Sequence, residues 1–330
     1  TVVTTRGMNR FIRFDRDKGI LRCESGVLLA DILQLVVPAG WFLTVSPGTR
    51  YVSVGGALAN DVHGKNHHRA GTFGCHVRAF ELLRSDGTRH LCAAGNNQAL
   101  FAATIGGMGL TGLVTWVELQ LRPVAGPQLQ EESIKFSNLD DFFRLSDYSD
   151  EHFEYTVAWV DCLASGEALG RGLFARANHV EGESGQLAEG GQIEPDPGPR
   201  VALPFAPPFS LVNKFSLRLF NAIWYGRQQQ RRRERVVHYR PFFYPLDAIS
   251  NWNLMYGRKG MLQYQCVLPG DDGRQMLREM LKTISASGQG SFLAVLKMFG
   301  GKESPGLLSF PRPGVTLALD FPNTPGVLRL

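Results

Sequence analysis

Between Pro47 and Val77 the chain reads PGTRYVSVGGALANDVHGKNHHRAGTFGCHV, and this stretch constrains the fold more than any other. Six glycines and four of the chain's eight histidines (His63, His67, His68 and His76) fall within it. A long helix or strand tolerates that glycine density poorly, so short turns are expected here, with backbone held close to a ligand and ring donors beside it. The rest of the chain is read as scaffold for this segment or as a second wall facing it.

The histidines suggest a metal, but the spacing argues against one. His63, His67 and His68 form HxxxHH without the glutamate of HExxH. Gly64 and Asn66 oppose the helix that would bring the rings to one face. The better reading sets one imidazole, His63, and one ammonium, Lys65, towards a ligand, where they can steer a proton or balance developing charge. His67, His68 and His76 are read as surface or internally satisfied loop histidines. The glycines carry two readings. Val54-Gly55-Gly56-Ala57, with Gly48 upstream, lets backbone amides approach a flat ring or a pyrophosphate, yet each turn alone is also ordinary turn composition. There is no GxGxxG after a strand and no GxxxxGK[ST], so neither a dinucleotide fingerprint nor a P-loop is indicated. A second glycine-rich turn, Ile105–Gly112, strengthens the cofactor reading.

With 330 residues and 44% hydrophobic composition, the chain can bury cores for two domains. A net charge of +5 is compatible with an anionic ligand or membrane surface. Five widely spaced cysteines without a CxxC point to reduced thiols, cytoplasmic surroundings and no zinc site. No transmembrane run and no signal peptide are seen. The first residue is Thr1, inside what reads as a strand, so a fragment is expected.

Two strands flank the turn Asp15–Gly19, and Leu28–Val37 has helical spacing, with Ser25 as candidate N-cap and Pro38 and Gly40 as the stop. Ser85-Asp86-Gly87-Thr88 closes a hairpin. A short helix over Asn97–Thr104 leads to a strand carrying Val117, Leu119 and Leu121. Pro123–Pro127 reads as a boundary, giving domains over 1–125 and 126–330. Beyond it, Glu154–Asp161 and Arg171–His179 pair as strands. Gly182–Pro208 is expected to be a long mobile loop. Ser216–Arg227 is expected to be a helix ending in the basic cluster Arg231–Arg235, read as a solvated helix end with anionic lipid second and nucleic acid rejected. Met261–Leu268, Phe292–Phe299 and Thr316–Phe321 are strands, and Arg274–Ile284 is an amphipathic helix. The class is α+β, an antiparallel sheet backed by helices. Lys297 sits on the face of Val295 and Phe299, where it either serves a site or, on an edge strand, meets solvent. Gln263 and Gln265 share a face and can meet a polar ligand. From the residues alone, Trp159 reads as core.

The segment Pro47–His68 with Gly71-Thr72-Phe73-Gly74 resembles the flavin-contacting core of the vanillyl-alcohol-oxidase/PCMH-type FAD enzymes. The full string SVGGALANDVHGKNHH is more specific and is similar to the polyprenylphosphoryl-ribose oxidases among them. The likeness continues through LFAATIGGMGLTG, VAWVD, YPLD, LQYQCVLP, SFLAVLKMFG and LSFPRPG…LDFP, essentially the whole chain. It implies a PCMH-type FAD-binding domain, represented by its second subdomain, and a substrate domain. It also implies FAD contacts from Gly48, Thr49, Ser53, Val54, Gly55, Gly56, Asn60, Asp61, Val62, His63 and Val114. His63, Lys65, Gln265 and Lys297 would be catalytic, with Trp159, Gln265, Lys297, Phe299, Thr316 and Ala318 lining the substrate pocket. The implied reaction oxidises the ribose C2 hydroxyl of a polyprenyl-phosphate sugar to a ketone by hydride transfer to the flavin. A short-chain reductase would then complete an epimerisation, with peripheral contact at the inner membrane. Oxidation of a free sugar or aldonolactone is the alternative reading, and an inactive, flavin-free fragment is the third. Ala318 stands where mycobacterial members carry a cysteine trapped by nitro-aromatic inhibitors, and Thr316, Phe243 and Leu254 also depart from the family's pocket. The resemblance further implies segments beyond both ends, including a pyrophosphate loop and a catalytic lysine, so FAD binding that is weak or absent is expected of this chain.

Overall fold

The computed structural model describes residues 4–182, 201–270 and 272–330. Its first part holds strands β1 (Phe11–Asp15), β2 (Ile20–Glu24), β3 (Trp41–Phe42), β4 (Val77–Leu83), β5 (Arg89–Ala93), β6 (Leu113–Gln120) and β7 (Arg122–Pro123). Helices α1 (Leu29–Val36), α2 (Val54–Ala59), α3 (His67–Ala70) and α4 (Gln98–Thr104) lie between them. Five strands pair antiparallel in the order β1-β2-β6-β4-β5. The Asp86-Gly87 turn joins β4 to β5, with Gly87 at φ 83° as a tight hairpin requires. α1 starts one residue later than expected, and its N-cap is Leu28, not Ser25, which is buried beneath Gly55. A Cβ on Gly55 would lie 2.9 Å from that of Ser25, so the glycine serves close approach inside the fold.

The second part is a seven-stranded antiparallel sheet. Its members are β8 (Gln128–Phe136), β9 (Tyr155–Val160), β10 (Gly172–His179), β12 (Arg232–His238), β14 (Met261–Leu268), β15 (Ala294–Phe299) and β16 (Gly314–Pro322), in the order β12-β8-β10-β9-β15-β16-β14. Two short strands, β11 (Val201–Ala202) and β13 (Ile249–Ser250), pair separately. Helices α5 (Leu139–His152) and α8 (Gly273–Ser287) cover one face. Leu139, Phe142 and Phe143 of α5 and Leu277, Leu281 and Ile284 of α8 pack there on Ala158, Val160, Phe174, Leu296, Leu317 and Leu319. Asn138 caps α5 by accepting from the Asp141 amide, and Gly288 in the left-handed region ends α8. Helices α6 (Lys214–Arg227) and α7 (Tyr239–Phe243) flank β12 in sequence. α7 crosses to the first core, where Tyr239, Phe242, Phe243 and Tyr244 pack with Phe42 and Tyr155.

Another expectation changes, and an open alternative closes. The basic cluster is not a helix end: residues 232–235 lie in edge strand β12. Arg232 and Arg235 there donate to Glu132 and Glu131 on the neighbouring β8, and those carboxylates hold the strand. Lys297 is not on an edge, because β15 lies between β9 and β16. Of the loop expected over 182–208, residues 183–200 lie outside the described residues. Among the described residues no helix is long and apolar enough to cross a membrane.

Candidate functional site

The face of the seven-stranded sheet away from α5 and α8 carries the site. Register aligns Gln265, Ala318, Val295 and Trp159 in one row across four strands, with Thr316 opposite Lys297 in the next. Strand alternation then puts Trp159, Gln265, Lys297, Phe299, Thr316 and Ala318 on one face, the inward positions being taken by Ala158, Leu296, Leu317 and Leu319. Trp159 is fixed by its indole N–H donating to the Phe292 carbonyl at 2.9 Å.

Against this face stands the glycine-rich segment. His63, bridged to Thr72, sends its ring between the strands: Nε2 lies 3.1 Å from Gln265 Nε2 and Nδ1 lies 3.2 Å from Lys297 Nζ. Gln265 Nε2 also donates to Thr316 Oγ1 at 3.2 Å, and Thr316 donates to the Cys266 carbonyl. Phe299 meets the His63 ring edge-on at 4.7 Å and the His67 ring at 4.4 Å. Phe310, which sequence reasoning missed, comes within 6.3 Å of His63.

Burial, the Lys297 charge and His67 hold His63 well below its ordinary 6.5, so the ring is neutral near pH 7. Burial lowers Lys297 to about 8, leaving amine and ammonium close in energy. An ammonium can only donate. With Lys297 charged, Nδ1 accepts from it and Nε2–H points at Gln265, whose amide must turn its oxygen inward. With Lys297 neutral, Nδ1–H donates to the amine and the Gln265 amide donates to Nε2. The Lys297–His63–Gln265 chain can therefore take up or release one proton and keep both hydrogen bonds.

The other predicted residues divide into rim and interior. Lys65 is tethered: its Nζ donates to the carbonyls of Phe242 and Phe243 at 2.7 and 3.0 Å, at the end of α7. Burial, then the Lys297 charge, lowers it to about 7, with Glu131 opposing. Asp61, at φ 41°, accepts from the Gly74 amide at 2.7 Å and from Ser304 and Ser309 at 2.5 Å each, tying the loop that carries Phe310 to the glycine segment. The amides of Val54 and Gly55 bind Val27 and Ser25, and Gly56 N donates to Ser53 Oγ, so this turn presents backbone surface and not free N–H groups. Val62 N donates to Ala57, and Val114 is buried in β6. Asn60 is exposed, its side chain donating to the Gly56 carbonyl.

His68 and His76 each make one ring hydrogen bond, through Nε2 to the Phe153 and Ala70 carbonyls, although His68 lies in α3 and its buried Nδ1 has no partner. His67 is buried, its Nδ1 has no partner, and burial followed by the Lys297 charge lowers it to about 4. Its place against Phe299 makes it part of the site wall. Its only sequence signal was its place four residues after His63 in HxxxHH. Among the described residues no group of three or more His, Cys, Asp or Glu could hold a metal.

The residues fit a flavin. Among the described residues the amides of Gly48 and Thr49 have no hydrogen-bond partner, and a Cβ at Gly48 would meet nothing within 4 Å. That leaves free donors for a phosphate or ring in the same segment that carries His63 against Lys297.

Comparison with known proteins gives the same direction. Residues 1–93 match the FAD binding domain family. The chain is 36% identical over 332 aligned residues to the decaprenylphosphoryl-beta-D-ribose oxidase of Mycolicibacterium smegmatis, covering 99% of this chain and 71% of that protein. It is 37% identical to an uncharacterised Streptomyces coelicolor protein, covering 90% of this chain and 81% of that one. The L-gulonolactone oxidase of Mus musculus is 29% identical over 149 residues, 43% of this chain and 33% of the mouse protein.

Proposed function

Because this chain belongs to the decaprenylphosphoryl-beta-D-ribose oxidase family and is an FAD-dependent oxidoreductase, we propose that it oxidises the ribose C2 hydroxyl of a polyprenylphosphoryl ribose to the 2-keto sugar. Bound FAD supplies the acceptor for the C2 hydride. The C2–H electron pair leaves with the hydrogen, the hydroxyl proton goes to a base, and the C2=O bond forms.

The observation that supports this reading is the contact of Lys297 and Gln265 with opposite nitrogens of His63. Neutral Lys297 takes the hydroxyl proton, and His63 and Gln265 relay the change by the tautomer exchange described above. Thr316 orients Gln265, and Phe299 with His67 keeps water from the ring. Trp159 and Ala318 line the space where the sugar lies. Gly48, Thr49, Ser53, Gly56, Asn60 and Val62 border the cofactor. Asp61, Val54, Gly55 and Val114 hold that border in shape, and Lys65 locks α7 against it. We take residues 1–125 as the FAD-binding part and 126–330 as the substrate part, tied together by α7. A separate reductase with its own hydride donor completes the epimerisation, and peripheral membrane contact brings the enzyme to its lipid substrate.

The test is anaerobic mixing of the FAD-loaded protein with farnesylphosphoryl ribose while the oxidised flavin absorbance is followed. Bleaching by this substrate and not by free aldonolactones is expected. Bleaching by the lactones alone would replace the reading with a sugar-lactone oxidase. Protein that stays colourless and shows no thermal shift with FAD would defeat both.

A further inference from the structure

Helix α6 carries large apolar side chains on two faces. Its inner face packs: Leu217 and Asn221 are buried, Asn221 donates to Asp161 at 2.6 Å, and Phe220 meets Phe292 at 4.8 Å. Its outer face is open. Phe215, Leu219 and Ile223, at i, i+4 and i+8, are 82%, 64% and 62% exposed. Phe205, Phe209 and Leu211, on the segment leading into the helix, are also exposed. The Leu211 carbonyl accepts from Ser216 Oγ, which sets this segment against the helix start. Scattered exposed apolar residues are ordinary, but a row of large ones along one helix with more at its entry marks a surface that something covers.

Charge says what kind of surface covers it. From Val201 to Arg233 there is no aspartate or glutamate, while Lys214, Arg218, Arg227, Arg231, Arg232 and Arg233 provide six cations. Arg232 is paired with Glu132 and Glu234, whereas Lys214, Arg218, Arg231 and Arg233 are exposed without a carboxylate partner among the described residues. Large apolar side chains ringed by lysine and arginine, on a 14-residue helix too short to span, suit a helix lying in the plane of an anionic bilayer. Nucleic acid would leave the phenylalanine and leucine side chains uncovered.

We propose that the outer face of α6, with the segment 205–211, docks the enzyme on anionic lipid membranes. Apolar side chains enter the interface, and Lys214, Arg218, Arg227, Arg231 and Arg233 lie against the headgroups. The position has a consequence that rests on the functional reading above. Phe220 packs on Phe292, whose carbonyl holds the Trp159 indole at the edge of the sugar space. A docked enzyme therefore presents that edge of its site towards the bilayer that carries a prenyl chain.

The test uses the full-length, FAD-loaded protein in flotation with phosphatidylcholine vesicles, with and without phosphatidylglycerol. Binding is expected to the anionic vesicles and to weaken with added salt. Phe215→Ser/Leu219→Ser/Ile223→Ser removes exposed side chains only and is expected to lower partitioning on the order of a hundredfold. Arg218→Glu/Arg231→Glu/Arg233→Glu is expected to remove the preference for anionic lipid. Flavin content and bleaching by farnesylphosphoryl ribose free in solution should stay at wild-type level in both. Equal partitioning of wild type and the triple serine variant would overturn the proposal. So would a stable dimer lost in that variant while vesicles are ignored. Failure of bleaching with docking intact would instead overturn the functional reading.

Discussion

The two walls of the cleft solve the same problem in opposite ways. The glycine segment is an irregular wall whose groups are mostly committed to the protein: Val54, Gly55 and Gly56 amides, the Asp61 carboxylate and Lys65 all bond inward. The sheet wall is regular, its ladder satisfies the backbone, and its side chains are left to face the cleft. The two lysines show the contrast. Both are desolvated, to about 7 for Lys65 and about 8 for Lys297. Lys65 rests on two carbonyls, whereas the one side-chain hydrogen bond of Lys297 among the described residues is to an imidazole that can exchange a proton with it. An irregular wall needs its polar groups to hold its own shape, and a sheet does not.

This contrast can be broken most directly at Lys297. Lys297→Met is expected to lower the rate of flavin bleaching by about 10²–10⁴-fold with FAD retained. In the wild type the rate should rise with pH through about 8, as the ammonium loses the proton that blocks it from acting as base, and this limb should vanish in the variant. The stability sign is separate. The folded value lies below the ordinary 10.5, so the unfolded chain binds more protons between about 8 and 10.5, and this residue's contribution to stability rises with pH across that window. A chemical denaturation series at several pH values, compared with Lys297→Met, checks it.

Gln265→Ala should cost about 10–100-fold in the same bleaching rate, since it leaves His63 Nε2 without its partner. Lys65→Met is the opposing case. It should cost about 1.5–3 kcal/mol in denaturant unfolding through loss of a charge-assisted tether, with bleaching by the folded fraction close to wild type. A rate loss as large as that of Lys297→Met would erase the distinction between the walls. Asp61→Asn should cost about 1–3 kcal/mol and raise the substrate KM more than it lowers kcat, because it loosens the loop bearing Phe310. The smallest effect belongs to Ala318. Cys266 alternates with Gln265 and so lies on the opposite face, leaving no thiol beside Ala318. Mass spectrometry should find no nitro-aromatic adduct on the wild type and one on Ala318→Cys, with turnover little changed.

The sheet wall was legible from sequence because alternation is a local rule. Lys297 with Phe299 and Gln263 with Gln265 read directly from strands of period two. His63 was legible through its glycine neighbours. His67 was not, because a loop histidine's burial depends on Phe299, more than two hundred residues later. Arg232 and Arg235 were misread for the same reason: a run of arginines looks like a solvated helix end until Glu131 and Glu132 are found across a strand pair. The Lys65 tether was not legible, because nothing local foretells that α7 will bring two carbonyls to it.

The sequence by itself determined the strand faces, the α+β class, the glycine segment and its likeness to a flavin wall. These follow from short-range sterics and hydrophobic period. Only the tertiary structure decided which of two similar lysines rests on carbonyls and which meets an imidazole, because a buried ammonium's behaviour is set by the acceptors packed against it, and those arrive from distant parts of the chain.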